Sequence, residues 1–121
     1  MTQPPVAAAA RDIAEVPAIE VISAAAVNLM SAAAIKVGLA DDEAQAGYLD
    51  LDEARKLINA LAGLLSAAAA DLSTYHAAPL RDGLRSLQLA FREASEVPDA
   101  PGQGPGESLT GPVYPRAAPR R

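Results

Sequence analysis

Apolar residues recur at helical spacing in three stretches of this chain. The first stretch runs from Pro17 to Gly38. Proline is typical of the beginning of a helix, and glycine is typical of its end. One apolar row recurs every three or four residues and consists of Ile19, Ile22, Ala26, Leu29 and Ala33. A second row on a neighbouring side consists of Val27, Met30, Ala34 and Val37. The pattern predicts a first helix that is apolar almost all round.

The second and third stretches predict two amphipathic helices. One begins after Asp50, because Asp50 and Glu53 have the spacing of a capping box. Its apolar stripe consists of Ala54, Ile58, Leu61, Leu65, Ala68 and Leu72. The other helix is predicted to begin at Pro79 and to end before Pro98. Its stripe consists of Leu80, Leu84, Leu87, Phe91 and Ala94.

The two ends of the chain lack such patterns. Residues 1–15 are rich in Ala and Pro and are expected to form a flexible segment. From Val97 onward, Pro and Gly are too dense for a helix or a central strand, and few large apolar side chains offset the entropy of ordering. We therefore predict a disordered tail over 97–121 and one all-α domain over 16–96. This domain is either a three-helix bundle or a helical hairpin with a third helix.

The composition favours a single helical domain. The chain has 121 residues, of which 50% are hydrophobic and only 3% are aromatic. Alanine supplies much of the apolar content, which favours helices over strands. The sequence contains no cysteine, which excludes disulfides, thiolate catalysis and metal sites bound by Cys.

Charge and targeting signals narrow the possible partners and compartments. The formal net charge is −5, but Arg116, Arg120 and Arg121 make the last six residues basic. Because an acidic body repels phosphates, nucleic acid is expected to bind only weakly and only through the tail. The charge-free stretch 21–35 is shorter than the roughly 20 residues of a membrane span, and residues 1–10 lack the features of a signal peptide. We expect a cytoplasmic protein without a membrane span.

Two short patterns within the predicted helices carry a resemblance to a known family. The second helix opens with Leu51, Ala54, Arg55 and Ile58, and the third closes with Leu84, Leu87, Leu89, Ala90, Phe91 and Arg92. With the Ala-rich first helix and the acidic linker, the chain resembles the bacterial domain-of-unknown-function 1844 family over 16–96, and its composition is similar to that of an actinobacterial protein. These are packing patterns, and the resemblance implies no particular activity. Some members are associated with genes for translation components, and this gene context is no more than a hint of a role near the ribosome.

Few side chains offer chemistry. His76 is the one imidazole, predicted to lie in a loop, and no second His or Cys is near it for proton transfer or metal binding. A loop residue that satisfies a helix end is the simpler interpretation. The run from Asp41 to Glu43 lacks the ligand spacing of a calcium loop, so a solvated acidic loop is favoured. We expect no catalytic residue, no cofactor and no metal, and therefore no enzyme.

The tail offers two contact hypotheses. Pro112 to Pro115 form a Pro-x-x-Pro element of the kind that docks into aromatic grooves. Arg116, Arg120 and Arg121 form a candidate contact for acidic protein, nucleic acid or anionic lipid. These arginines support the alternative function, an accessory or regulatory factor of a nucleic-acid machine such as the ribosome. A solvated terminus is favoured over either contact.

The first helix carries the most informative pattern. Its small residues allow helices to approach closely, and a domain of this size has limited interior for two apolar rows. We therefore expect the second row, Val27, Met30, Ala34 and Val37, to form an interface between copies. The function that we favour is that of a small non-enzymatic interaction or scaffolding protein, which forms a homodimer or a larger helical oligomer. The interpretation also allows an unidentified protein partner.

Overall fold

Three long helices and one short helix make up the described part of the protein. The computed structural model describes residues 14–39 and 47–114. Its helices are α1 (Ala18–Lys36), α2 (Leu51–Ala68), α3 (Thr74–Ala94) and α4 (Glu107–Thr110). No strand occurs within these residues. The predicted all-α fold with three principal helices is confirmed.

The first two helices begin where the sequence predicts. Helix α1 follows Pro17, and the chain leaves it through Gly38, whose φ of 88° lies in the left-handed region. At the start of α2, the Asp50 side chain accepts a hydrogen bond of 3.2 Å from the Glu53 amide. The Glu53 carboxylate contacts Lys56 at 2.7 Å. Half of the expected capping box is therefore present, and the other half is replaced by an ion pair.

Helix α3 begins five residues before the predicted start at Pro79. Ser73 is its N-cap, and the Ser73 side chain accepts a hydrogen bond of 3.3 Å from the His76 amide. Pro79 lies inside the helix, where its missing N–H leaves the carbonyl of Tyr75 without an intrahelical partner. The Tyr75 side chain is 84% exposed, so this end of α3 is open to solvent. The predicted loop position of His76 is wrong, because His76 lies in the first turn of α3.

The core lies where α1, α2 and α3 meet. Every residue of the predicted α2 stripe is buried, and so are Leu80, Leu84, Leu87 and Phe91 of α3. Helix α1 contributes Ala26, Ala33 and Val37. The amphipathic pattern of α2 and α3 thus specified most of their inward faces, but the predicted Ala94 is exposed, and the buried Ala62, Ala77 and Gln88 were not part of the predicted stripes.

Residues 97–114, called the strap below, differ from the disordered tail that the sequence predicts. Pro105 and Val113 are buried against the helices, and α4 forms within this segment. Gly106 has a φ of 74°, and a Cβ there would lie 2.9 Å from the Cβ of Ala62. The physical reason for the difference is polar, since side chains of α2 and α3, among them the buried Gln88, hydrogen-bond the strap. The packed unit therefore extends past Glu96 to residue 114, while residues 115–121 lie outside the described residues.

Candidate functional site

Helix α1 has an outward side that is apolar and exposed. Of its 19 residues, only Ala26 and Ala33 are buried within the helix bounds. Val21 is 45% exposed and Val27 is 51% exposed. The stretch 21–35 carries no charged side chain. A helix with this composition usually lies inside a bundle, so it is unusual that one of its apolar sides is exposed.

The predicted interface row does not form this outward side. Val37 is 5% exposed, and Met30 and Ala34 pack against the chain's own core. A Cβ at Gly83 of α3 would overlap the Met30 methyl group, which shows how closely the two helices approach. Val27 is the one member of the predicted row that lies in solvent. The row therefore does not form one exposed surface, because Val37 is buried and Met30 and Ala34 pack within the chain, and its role as an interface between copies stays a prediction.

A different set of residues forms the exposed side, which we name the outer face. Its members are the exposed Val21, Ala24, Ala25, Val27, Asn28 and Ser31 and the half-buried Ala32 and Ile35. Three of them, Val21, Asn28 and Ile35, repeat every seven residues and therefore lie along one line of the helix. Sequence reasoning missed this line because a helix that is apolar all round gives no periodic signal for which row faces inward.

The outer face continues beyond the end of α1. Ala32, Ile35 and Lys36 line a shallow depression together with Tyr48. The Lys36 Nζ lies 5.8 Å from the centre of the Tyr48 ring, a cation–π arrangement. Leu39, Tyr48 and Leu49 are all more than half exposed. The exposed apolar surface thus extends from the middle of α1 to the start of α2.

Helix α1 is also the one helix in the described residues that is long and apolar enough to cross a membrane. Its mean hydropathy is 1.8 over an 18-residue window, of which 11% is buried. Core helices of soluble proteins and signal sequences also have this length and this apolar composition.

A buried ion pair anchors the strap to α3. Arg92 donates hydrogen bonds of 2.9 Å and 2.7 Å to the two carboxylate oxygens of Glu107. The Gly102 amide donates a third bond to this carboxylate, at 2.9 Å. Burial acts to raise the pKa of Glu107, but the hydrogen bonds from Arg92 and Gly102 outweigh it and hold the pKa below its ordinary value.

Amide side chains add further anchors. Gln88 is 1% exposed, and its Nε2 donates to the carbonyl of Pro105 at 3.1 Å and to the hydroxyl of Thr110 at 3.0 Å. The Gly106 amide donates to Asn59 Oδ1 at 2.7 Å. Because polar residues on helices normally face water, the helical period places Asn59 and Gln88 on the solvent side. The sequence carries no signal that they receive the strap.

A second ion pair connects the beginning of the strap to α2. Arg55 of α2 contacts Asp99 at 3.0 Å, and its guanidinium lies 4.8 Å from the centre of the Phe91 ring. Arg92 also donates to the carbonyl of Asp99 at 2.6 Å. The strap is therefore joined to α2 and to α3 at once.

His76 forms a local contact at the start of α3. Its Nδ1 lies 2.9 Å from the Ser73 hydroxyl, and its ring meets Tyr75 edge to face with centroids 5.5 Å apart. The imidazole thus contacts the capping hydroxyl and no backbone group of the helix, and it is Ser73 that satisfies this helix end. Among the described residues no group of three His, Cys, Asp or Glu side chains has the geometry of a metal site. The acidic run from Asp41 to Glu43 lies outside the described residues.

The tail contacts predicted from the sequence are only partly described. Val113, in the middle of the Pro-x-x-Pro element, is 5% exposed because it packs into this chain. Its side chain is therefore not displayed for an external groove. Pro115, Arg116, Arg120 and Arg121 lie outside the described residues.

The comparisons with known proteins place the helices in a family. The sequence profile of the family described as Domain of unknown function (DUF1844) matches residues 18–93, which is more than half of the chain. The chain belongs to this family, as the resemblance implied. The matched region covers α1, α2 and all of α3 except its last residue, and it ends before the strap. No curated protein and no solved structure matches the chain.

Proposed function

We propose that this protein is a small non-enzymatic interaction or scaffolding protein that self-associates through the outer face of α1. The observation that carries the proposal is the exposure of this uncharged apolar face, which includes the exposed Val21 and Val27 and the half-buried Ile35. Covering apolar surface contributes about 25 cal/mol per Å² before the costs of association. A partner helix is the most direct way to cover a face of this shape.

A second copy of the chain is the partner that suits the outer face best. A twofold interface brings the same patch together from both copies, so an uncharged patch meets no like charge. Ala24, Ala25 and Ser31 are small enough for close helix approach. Asn28 lies seven residues from both Val21 and Ile35, and a single amide within an apolar seam sets the register of paired helices.

A charge placed on the outer face tests the proposal. In Ala25→Glu, a carboxylate would be buried between copies, which is costly in a dry interface and cheap on an exposed helix. Ser86 is exposed on α3, away from the outer face, and Ser86→Glu adds the same charge as a control. We expect light scattering to report a dimer for the unchanged protein and for Ser86→Glu, and a folded monomer for Ala25→Glu. A monomer at about 100 micromolar in the unchanged protein would refute the proposal, since even a modest interface is saturated there.

The proposal includes a cytoplasmic location. The alternative, an accessory factor of the ribosome or another nucleic-acid machine, depends on Arg116, Arg120 and Arg121, which lie outside the described residues. It predicts RNA binding that weakens with salt and is lost when residues 112–121 are removed. Self-association that is insensitive to salt, without RNA binding, favours scaffolding.

A further inference from the structure

A groove lies between the strap and the helices α2 and α3, on a side of the molecule that the proposed function does not use. Its volume is about 350 Å³, within the range of small-molecule sites. The floor is mainly aliphatic and consists of Ala62, Leu65, Leu84, Leu109 and Val113. Leu109 and Val113 belong to the strap, so the groove exists in this form only while the strap is docked.

This groove has two arginines in its lining. Arg81 and Arg85 of α3 line it, and no acidic side chain lines it among the described residues. The three ion pairs of the described residues use the cations of Arg55, Lys56 and Arg92. The charges of Arg81 and Arg85 are therefore not neutralised by an ion pair in this part of the chain.

Arg85 is held in place by the strap. Its Nη2 donates a hydrogen bond of 2.9 Å to the carbonyl of Tyr114. A guanidinium has five N–H donors, so Arg85 keeps donors for a further acceptor. Ser66 and Thr110 add hydroxyl groups to the lining. The groove thus combines an aliphatic floor with cationic and hydroxyl donors, of which Arg85 is held in place by the strap.

We propose that this groove binds a small amphipathic anion, with a carboxylate on Arg81 and Arg85 and an aliphatic body on the floor. Guanidinium groups match carboxylates through paired, charge-assisted hydrogen bonds. Leu65, Leu84 and Val113 give the aliphatic body the apolar surface that it loses from water. In a chain of net charge −5, the local positive charge also distinguishes this groove from the rest of the surface. The proposal is independent of self-association, because none of the groove residues lies on the outer face.

Titration calorimetry with octanoate, using the full chain, tests the proposal. We expect one octanoate per chain, and binding of 1-octanol weaker by about tenfold because the alcohol lacks the charge. Equal affinity for octanoate and 1-octanol would overturn the charge assignment. Absence of octanoate binding to the folded protein would overturn the site. Binding only to vesicles that contain phosphatidylglycerol, without binding of free octanoate, would overturn it in favour of a membrane contact.

Matched substitutions locate the binding. Arg81 makes no hydrogen bond to another described side chain or to the strap, so Arg81→Gln removes a cation without loosening the strap. We expect Arg81→Gln and Arg85→Gln each to weaken octanoate binding by about tenfold. Lys56→Gln, which removes an exposed cation distant from the groove, should leave the affinity unchanged. Circular dichroism confirms that each variant is folded, and full affinity in both arginine variants would refute the proposal.

Discussion

Arg92 and Glu107 form a bidentate ion pair in which the Glu107 side chain is completely buried and the Arg92 side chain is 15% exposed. The two residues join α3 to α4 across 15 positions of sequence. A buried carboxylate is unfavourable unless its partner and further donors are in place. Here Arg92 and the Gly102 amide provide them, so the strap is held by a network whose parts depend on one another.

Removing the Glu107 charge should destabilise the fold. In Glu107→Gln, Arg92 loses its counter-charge, and we expect the free energy of unfolding to fall by about 2 to 3 kcal/mol. Glu93→Gln removes an exposed carboxylate of α3, next to Arg92, and should change stability by less than about 0.5 kcal/mol. Urea denaturation measures both variants. Equal midpoints for Glu107→Gln and the unchanged protein would show that the ion pair contributes nothing net.

The same carboxylate should make stability depend on pH. Since the pKa of Glu107 is lowered from its ordinary value of 4.5, the folded state binds this proton less readily than the unfolded state. The stabilisation is full above the ordinary pKa and is lost as pH falls through the lowered pKa of the folded state. We expect the stability difference between the unchanged protein and Glu107→Gln to shrink between about pH 7 and about pH 3. A difference that stays constant across this range would contradict the prediction.

Two glycines should respond to alanine in opposite directions. Gly63 lies within α2, and a Cβ there meets no atom within 4 Å, so Gly63→Ala should stabilise the protein by about 0.5 to 1 kcal/mol. Gly106→Ala should destabilise it by at least about 1 kcal/mol, because this residue has a left-handed backbone and a Cβ would lie 3.0 Å from Gln88 Nε2. Thermal unfolding compares the two variants. A stabilising Gly106→Ala would mean that the strap does not pack on Ala62 and Gln88.

The start of α3 should depend on Ser73 more than on His76. Ser73→Ala removes the side chain that accepts from the His76 amide, and loss of an N-cap costs about 1 kcal/mol. His76→Ala removes only an exposed ring and should change stability by less than about 0.5 kcal/mol. Chemical denaturation of both variants gives the comparison. The reverse order would show that the imidazole, and not the hydroxyl, secures this helix end.

The parts of the fold that were predictable are those with a clear division between apolar and polar faces. The stripe of α2 was identified except for Ala62, because Ile58, Leu61 and Leu65 recur at helical spacing. The start of α3 was misplaced because Pro79 suits a first turn, whereas Ser73 provides a hydroxyl for the first amides. The N-cap hydrogen bond of Ser73 therefore determined where α3 begins, and the preference of proline for the first turn of a helix did not.

The candidate surfaces were less predictable for two physical reasons. In α1 both Met30 and Val27 belong to an apolar row, and only the approach of α3 at Gly83 decides that Met30 faces inward. The strap is ordered through polar contacts with Asn59 and Gln88, which periodicity assigns to solvent. Hydrophobic content alone therefore underestimates the order of a segment rich in Pro and Gly.

The helices differ in the polar side-chain bonds that hold them to the rest of the protein, and this difference implies an order in which they unfold. The strap connects α2 to α3 through the side chains of Arg55, Asn59 and Arg92, whereas among the described residues no side chain of α1 forms a hydrogen bond or an ion pair with another helix. The buried hydroxyl of Ser23 on α1 has no hydrogen-bond partner. Parts of a domain open at different free energies, which depend on their buried contacts and on their hydrogen bonds to the rest of the domain. Because α1 has no polar side-chain bond to another described helix, we expect α1 to lose its protection from hydrogen exchange before α2, α3 and the strap do.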